Sequence, residues 1–333
     1  MIKILITSIF LTSSISAVQA ISDDSLVVYS SRKGHLIDPL FTAFTKATGI
    51  KVEYLTSKGS TLLERLKLEG KNTKADMFMT VDAGNLWYAG TQDLFQSVKT
   101  KVLQDNIPSY LRDPEGLWTG LSMRARTIVY NTNTVKPSDL STYADLANDK
   151  WAGRLCLRTS KKVYTKSLVA SIIYHQGEEK AGKIIEGWVE NLAATPNAKD
   201  SHVMNAILSG QCDVGLVNTY YYGRLMDKKP DAPLKLFWAN QKTTGVHVNI
   251  TGAGVTKHAK NPAKAIRLLE WLSSPEAQKI YGALNKEYPA NPSVQPDAAV
   301  AEWGAFKQDS MNLSQAGILQ ADAVKLMQKK GYR

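Results

Sequence analysis

Residues 26–54 read LVVYSSRKGHLIDPLFTAFTKATGIKVEY, and this stretch contains the structural unit that predicts the fold. The apolar run within Ser25–Tyr29 is typical of a buried strand, and apolar residues recur at helical spacing over Leu36–Thr48. Alternation over Gly49–Tyr54 then predicts a second strand. A strand–helix–strand unit of this kind implies a parallel sheet with helices on both faces.

The same pattern extends along most of the chain. A helix is predicted over Ser60–Gly70 and an apolar third strand over Asp76–Thr80. The pattern restarts after the middle, with strands predicted at Leu155–Arg158, Asp213–Asn218 and Val246–Thr256, and helices at Ser167–His175, Glu178–Asn191, Asp200–Gly210, Pro262–Leu272 and Pro275–Leu284. We therefore expect two α/β lobes without a simple head-to-tail boundary, with a ligand site at the carboxyl ends of strands.

Composition and missing motifs narrow the class of protein. Of 333 residues, 44% are hydrophobic and 21% are charged, which describes a globular chain of about two domains. The formal net charge is +11, but without zinc-finger spacing or an RNP-type motif we do not expect nucleic acid as a partner. The P-loop, dinucleotide-binding, nucleophile-elbow and H-E-x-x-H motifs are also missing. A binding protein is therefore favoured, with a secreted α/β enzyme as an alternative.

The first twenty residues have the features of an export signal. They contain one charge at Lys3, then the apolar stretch Ile4–Leu11, then a Ser-rich segment that ends at Ala20. We predict that the chain is exported and cleaved after Ala20. A membrane anchor is the alternative, but the apolar stretch is much shorter than the ~20 residues that cross a bilayer.

The two cysteines, Cys156 and Cys212, are interpreted in the light of export. Both fall in segments that look like strands, and an even count in an oxidising compartment favours a disulfide. Two separate buried thiols are the alternative. Neither cysteine has a second Cys or a His at metal-ligand spacing, so a thiolate metal site is not expected.

Two basic segments have the residue types of an anion site. In Val28–Gly34 a predicted strand ends and a helix begins, so free backbone N–H groups and the Arg32 guanidinium can bind a small anion. Farther along, alternation places Arg124 and Arg126 on one face of a strand, where burial requires a partner. The alternative for the first segment is a pair of capping serines with Arg32 on the surface.

A run of three tyrosines follows a predicted buried strand in NTYYYGR, residues 218–224. If Asn218 or Thr219 caps a helix, Tyr220 and Tyr221 lie in its opening turn, where neighbouring side chains can converge. Phenolate oxygens are hard, anionic ligands that suit a hard trivalent cation such as Fe3+, and a cation of that charge displaces the phenol proton. An aromatic platform for a sugar or polyamine, or simple core packing, remains an alternative.

Essentially the whole chain after residue 20 resembles the periplasmic ferric-ion-binding proteins that supply ABC importers, a group within the extracellular solute-binding proteins. The stretches that carry the resemblance are VVYSSRKGHLIDPLF, KADMFMTVDAGNL, GLSMRARTIVYN, the run from KWAGRLCLRTS through VYTKSLVAS, GQCDVGLVNTYYYGRL and NITGAGVTKHAKNPAKAIRLLEWLSSPEAQ. The resemblance implies a two-lobed periplasmic binding protein fold of the class II type, with the ligand in the cleft between the lobes. It also implies a periplasmic location, no enzymatic activity, and a permease and ATPase complex in the inner membrane as the partner of a monomer.

The resemblance also implies the residues of the site. The Fe3+ ligands of the family correspond to Tyr164, Tyr220 and Tyr221. The segments that hold a synergistic anion, often carbonate, correspond to Ser31, Arg32 and Arg124. A binding protein of the same fold for a small anion, which would use the arginines directly, is the alternative function.

The chain departs from its apparent relatives in the first lobe. Some relatives have His or His-Tyr where this chain has Lys33 and Gly34, and others have Glu where it has Val81. These departures favour a site of three tyrosines assisted by an anion. Whether Lys33, His35 or Asp82 contributes is left open, while Tyr29 and Tyr222 are interpreted as packing residues.

Lobe boundaries are likewise implied by the resemblance. After the signal at 1–20, the N-terminal lobe is expected to comprise 21–122 plus about 250–300, and the C-terminal lobe 123–249 plus about 301–333. The crossings are expected near Leu121–Arg126 and near Gly245–Ile250, and a helical tail over Leu313–Lys330 is expected to pack on the second lobe. Ligand binding would then close the lobes about these crossings.

Overall fold

The structure, a computed structural model, describes residues 25–333. The predicted export signal and its cleavage point lie outside the described residues. The strands are β1 Leu26–Ser30, β2 Val52–Thr56, β3 Met77–Val81, β4 Thr119–Asn131, β5 Leu155–Cys156, β6 Val214–Asn218, β7 Leu234–Phe237, β8 Val248–Val255 and β9 Tyr288–Pro289.

Helices separate most of these strands. They are α1 Asp38–Thr48, α2 Gly59–Glu69, α3 Ala83–Thr91, α4 Lys101–Asn106, α5 Val163–Glu190, α6 Asp200–Leu208, α7 Thr219–Met226, α8 Pro262–Ser273, α9 Pro275–Asn285, α10 Ala298–Ala301, α11 Ser314–Ile318 and α12 Gln320–Lys329. Across residues 25–333, none of the helices combines the length and apolar character that a membrane crossing requires.

The sheet is mixed: its strand–helix–strand units are parallel, but antiparallel strands join them. Its order is β2-β1-β3-β8-β4-β6-β5, with β7 and β9 paired to β4. The pairs β1–β2, β1–β3 and β5–β6 are parallel, as the strand–helix–strand units predict. In contrast, β8 runs antiparallel to β3 and to β4, and β4 runs antiparallel to β6. The two antiparallel strands therefore connect two smaller parallel units.

Two lobes are built on these parallel units, and we name them after their strands: the first lobe on β1–β3, the second on β5–β7. The central strand β4 pairs with β8 through Thr119–Ala125 and with β6 through Arg126–Tyr130. In each lobe, alternate strand residues enter different core clusters, as Val27 and Val28 do in β1. Each half of the sheet is therefore covered on both faces, as predicted.

Two predicted elements have different bounds in the structure. The strand predicted over Leu155–Arg158 is only β5, so Arg158 lies beyond its carboxyl end. The two helices predicted after it form the single element α5, which begins at Val163 and is interrupted at Gly177 with a φ of +76°. Glycine tolerates this left-handed conformation because it has no Cβ. The early start of α5 places Tyr164 in its first turn.

The C-terminal tail packs against the second lobe and also contacts the first. Its helix α12 packs against α5 of the second lobe. Its short helix α11 lies against α5 and also against α3, where Gly317 approaches the Trp87 side chain closely. The tail is therefore a further link between the lobes.

A disulfide joins Cys156 and Cys212, in agreement with the prediction from the cysteine count. Cys156 ends β5, but Cys212 lies in the turn before β6 rather than in a strand. Both side chains are buried against the helix α6 cluster of the second lobe. The bond therefore ties β5 to the segment that leads to the tyrosine run.

Candidate functional site

A cavity of about 360 Å³ lies between the two lobes, and it contains all six residues that the sequence nominates for the site. Its lining is unusually rich in cations and phenols. The lining residues are Ser31, Arg32, Lys33, Leu36, Val81, Arg124, Tyr164, Lys199, Tyr220, Tyr221, Arg224, Asn285 and Glu287. Side chains at positions 31 and 221 are thereby brought to one site by the topology of the sheet.

The tyrosine pair lies in the opening turn of α7, the arrangement expected if Asn218 or Thr219 begins a helix. The helix begins at Thr219, with Asn218 at its cap position but without a capping side-chain hydrogen bond. The rings of Tyr220 and Tyr221 lie with centroids 4.5 Å apart and planes inclined by 35°. Both therefore face the cavity, together with Tyr164 from the first turn of α5.

Two of the phenols are held protonated by their surroundings. Burial raises the pKa of Tyr164 above its ordinary value, although the positive charge of Arg124 lowers it. Burial also raises the pKa of Tyr220 well above 10, and the nearby Tyr164 and Tyr221 phenols raise it further. A cation that binds these oxygens must therefore displace protons.

Arg32 is a buried cation with unused hydrogen-bond donors. Its side chain is 4% exposed, and its Nη1 donates to the Thr251 hydroxyl at 2.9 Å and to Glu287 Oε1 at 2.9 Å. Its Nε and Nη2 atoms are buried without a partner. Buried guanidinium nitrogens are normally hydrogen-bonded, so this arginine retains capacity for an anion.

Arg124 has even more unused capacity. Its side chain is 2% exposed, its Nη2 lies 4.0 Å from Asp82 Oδ2, and its guanidinium lies 5.4 Å from the centroid of the Tyr164 ring. Both Nη1 and Nη2 are buried without a hydrogen-bond partner. Arg126, by contrast, is fixed by Asp200 at 3.1 Å and does not line the cavity. Only Arg124 of this pair faces the site.

Ser31 borders the cavity at the carboxyl end of β1. Its hydroxyl hydrogen-bonds the Thr80 hydroxyl at 2.9 Å and accepts from the Val81 backbone N–H at 3.1 Å. The preceding hydroxyl, that of Ser30, accepts from the Arg32 backbone N–H at 3.1 Å. These contacts join β1 to β3 and fix the backbone from which Arg32 extends.

Of the other tyrosines and polar residues that the sequence discussed, all but Lys33 lie outside the cavity lining. The Tyr29 hydroxyl donates to Glu69, and the Tyr222 hydroxyl donates to the Leu234 carbonyl oxygen at 3.3 Å. His35 does not line the cavity, whereas Lys33 does. Asp82 is fully buried behind Arg124, and it accepts from the Gly84 backbone N–H at 2.9 Å as the cap of α3.

Several lining residues have no signal in the sequence. Glu287, which is 1% exposed, accepts from Arg32, from the Ser122 hydroxyl at 2.5 Å and from Asn285 Nδ2 at 2.6 Å. The Arg32 charge holds the pKa of Glu287 below its ordinary value despite the opposing effect of burial. Arg32 and Ser122 each lie more than 150 positions from Glu287 in the sequence, so no local pattern could reveal these contacts.

The metal-binding capacity of the described chain resides in phenol oxygens rather than in the commoner ligand types. Across residues 25–333, no three His, Cys, Asp or Glu side chains cluster as a metal site would require. Three phenols and one carboxylate border the cavity instead. This is a set of hard oxygen donors.

Residues 40–308 match the family of bacterial extracellular solute-binding proteins, and the chain belongs to that family. It is accordingly a binding protein rather than an enzyme, as the sequence predicts. Its fold is that of the two-lobed periplasmic binding proteins.

Individual relatives match over nearly the whole chain. The protein is 41% identical over 312 residues to iron uptake protein A1 of Synechocystis sp. (strain ATCC 27184 / PCC 6803 / Kazusa), with coverage of 92% of this chain and 87% of the relative. A Trichodesmium protein, IdiA (FutA), solved in complex with iron and citrate ligands, superposes with a TM-score of 0.90 at 44% identity, over 93% of this chain and 100% of that one. The ferric binding protein from Campylobacter jejuni gives a TM-score of 0.86 at 35% identity, over 93% and 100%.

Proposed function

We propose that this protein binds ferric iron in the periplasm and delivers it to an ABC-type importer in the inner membrane. The Fe3+ ligands are the phenolates of Tyr164, Tyr220 and Tyr221. The observation that carries the proposal is the convergence of these three phenols on one cavity that also receives two buried arginines with unused donors. Relatives described as an iron uptake protein and as a ferric binding protein support the same cargo.

The charges around the cavity account for a cation and an anion together. Three phenolates balance the charge of Fe3+, and hard oxygens suit this hard cation. Glu287 balances the charge of Arg32 but leaves its Nε and Nη2 without partners, and Arg124 lies 4.0 Å from its nearest carboxylate. An anion between these arginines and the metal would satisfy the unused guanidinium nitrogens and complete the iron coordination.

The synergistic anion is assigned to Ser31, Arg32 and Arg124, and carbonate is one candidate. A cavity of about 360 Å³ has room for a larger anion as well. Citrate accompanies iron in the complex of the Trichodesmium relative. The anion is therefore expected to be an oxyanion or a carboxylate. Iron titrations in the presence of carbonate and of citrate distinguish these two candidates.

Delivery requires an exported protein and a membrane partner. We assign residues 1–20 as a signal removed after Ala20, and the permease and ATPase of an importer as the partner, because members of this family are solute-binding proteins. The lobes are assigned as 21–122 plus about 250–300 and 123–249 plus about 301–333. The change of partner of β4 between Ala125 and Arg126 supports a boundary close to residue 122.

A visible-absorption titration tests the proposal. The purified iron-free protein is titrated with ferric nitrilotriacetate, with carbonate, with citrate and without either anion. Phenolate ligation predicts a charge-transfer band that saturates at one iron per protein and disappears in the Tyr220→Phe/Tyr221→Phe double variant. Tyr222→Phe is the matched control, because it removes the third phenol of the run, which does not line the cavity.

The small-anion alternative rests on the same two arginines, so calorimetry decides between the two functions. Iron-free protein is titrated with phosphate and with carboxylates. Tight binding of such an anion without iron, combined with no charge-transfer band on addition of iron, would overturn the proposal. Weak anion binding that tightens when iron is present supports it.

A further inference from the structure

A single buried carboxylate lies behind the tyrosines. Asp200, the first residue of α6, is fully buried. Its Oδ1 accepts from Arg158 Nη1 at 3.1 Å, and its Oδ2 accepts from Arg126 Nη1 at 3.1 Å and from the Asn218 backbone N–H at 2.9 Å. Asp200 therefore connects β4, the end of β6 and the segment that follows β5.

Two partners of this carboxylate are in direct contact with the phenols of the site. The Arg158 guanidinium lies 5.1 Å from the centroid of the Tyr164 ring and 5.9 Å from that of Tyr221. The side-chain amide of Asn218 donates to the Tyr220 hydroxyl at 3.3 Å. All three phenols are thus linked to Asp200 through one intermediate residue each.

We propose that Asp200 and Arg158 are positioning residues that orient the three phenols for iron, an inference that rests on the proposed function. The guanidinium of Arg158 lies near the faces of two rings, and its attachment to Asp200 restricts its movement. Asn218, held by the same carboxylate, restricts Tyr220. Residues that orient metal ligands in this way commonly affect metal affinity without contact with the metal.

The net charge of Asp200 and its two arginines also favours iron binding by the phenolates. Arg126 and Arg158 together carry two positive charges against the single carboxylate of Asp200. One positive charge is therefore left beside rings that become anionic when iron binds, and of the two arginines bonded to Asp200 it is Arg158 that contacts the rings. An arginine at this position would both orient and stabilise phenolates.

The chain offers a matched pair outside the cavity. Arg154 Nε bonds Asp213 Oδ2 at 2.6 Å, and the Arg154 guanidinium lies 5.2 Å from the Trp151 ring. This pair has the same residue types, an arginine, a carboxylate and an aromatic partner, but it lies at the amino ends of β5 and β6, whereas the Asp200 cluster lies at their carboxyl ends. It has no contact with the three tyrosines, so its loss changes stability without a change at the iron site.

The experiment compares Arg158→Gln, Arg158→Lys and Asp200→Asn with the controls Arg154→Gln and Asp213→Asn. For each variant we would measure the thermal midpoint of the iron-free protein, the wavelength of the charge-transfer band and the rate of iron transfer to an external chelator. We expect Arg158→Gln and Asp200→Asn to shift the band and to release iron about tenfold to a hundredfold faster. Arg158→Lys retains the charge and is expected to recover part of the effect.

The outcomes separate this inference from the proposed function. A wild-type protein with no charge-transfer band would overturn both. A wild-type protein that binds iron, together with Arg158→Gln and Asp200→Asn variants whose band and release rate match the wild type, would overturn the positioning role alone. The same shift in the Arg154→Gln control would also overturn it, because the effect would then follow from general loss of stability.

Discussion

The first lobe borders the cavity with Ser31, Arg32 and Val81, whereas Tyr164, Tyr220 and Tyr221 approach from the second lobe. The first lobe thus contributes a buried cation and a hydroxyl. The second contributes three oxygens that become anionic when iron binds, and it alone, within residues 25–333, contains the disulfide. Because the proposed metal ligands come from one lobe and the anion ligands mainly from the other and from β4, each half of the site can be altered separately.

Glu287 also borders the cavity but is paired with Arg32, so all of the proposed metal ligands come from the second lobe. The three phenols extend from α5 and α7 of the second lobe, and each contacts Arg158 or Asn218, the partners of Asp200. The first lobe then has to supply only an anion site.

The largest effect is expected from loss of the second-lobe oxygens. Tyr220→Phe/Tyr221→Phe removes two of three anionic ligands while the rings remain, so iron affinity should fall at least a thousandfold, about 4 kcal/mol. Competition with nitrilotriacetate measures the affinity, and Tyr222→Phe should stay near the wild-type value. An unchanged affinity in the double variant would show that these phenol oxygens are not iron ligands.

Removal of the disulfide tests how much this bond contributes to the stability of the second lobe. Replacement of Cys156 and Cys212 by serine opens a link across 56 positions of sequence, and the chain-entropy relation gives a loss of about 4 kcal/mol in the free energy of unfolding. Chemical denaturation of the iron-free protein would measure it. A loss near zero would show that the second lobe does not depend on the link. The wavelength of the charge-transfer band should stay the same, since neither sulfur lines the cavity.

Two buried groups near the crossing strands should give opposite pH responses. Burial lowers the pKa of His247 to about 4 and raises that of Asp82 to about 6. Between pH 6.5 and 4 the unfolded chain protonates its histidine while the folded chain does not, so His247 reduces stability as the pH falls. Between pH 6 and 4 the folded chain retains the Asp82 proton that the unfolded chain loses, so Asp82 increases stability as the pH falls.

Substitution separates the two responses. His247→Gln should be more stable relative to the wild type at pH 4.5 than at pH 7, by up to about 3 kcal/mol. Asp82→Asn should be less stable relative to the wild type at pH 4.5 than at pH 7. Denaturant unfolding of the iron-free protein at the two pH values provides the comparison. If the stability difference between His247→Gln and wild type did not change with pH, His247 would not be held neutral in the folded chain.

The smallest effect is expected at the anion half of the site. Arg124→Gln removes a cation that β4 places beside Tyr164, so iron affinity should fall about tenfold. More specifically, the stimulation of iron binding by carbonate or citrate should weaken in this variant. The measurement is the iron titration with and without each anion. Full anion stimulation in Arg124→Gln would show that the anion lies elsewhere.

Local patterns predicted the elements that depend on local periodicity. Strands β1 to β3 and helices α1 and α2 lie within a few residues of the expected positions, because their apolar residues follow one period. The long strand β4 was expected around Arg124 and Arg126, but its full extent over Thr119–Asn131 was not predicted, since polar residues such as Ser122 interrupt the apolar pattern. The direction of β8 was missed, because antiparallel pairing with β3 and β4 depends on contacts far apart in sequence.

The residues of the candidate site likewise divide into those with a local sequence pattern and those that depend on long-range contacts. Tyr220, Tyr221 and the Ser31–Arg32 segment stand out in the sequence, and the resemblance to known binding proteins added Tyr164 and Arg124. Glu287 and Asp200 could not be predicted, because each lies in an ordinary segment and acquires its role only through long-range pairing. Burial of a lone carboxylate leaves no periodic signal.

A crystal structure of the iron-loaded protein, with an anomalous difference map at the iron absorption edge, tests the central claim most directly. The account predicts one strong peak in the cavity, within bonding distance of the hydroxyl oxygens of Tyr164, Tyr220 and Tyr221. It also predicts an anion between that peak and the guanidinium groups of Arg32 and Arg124. A peak away from the phenols, or phenols that point apart around an empty cavity in iron-loaded crystals, would contradict it.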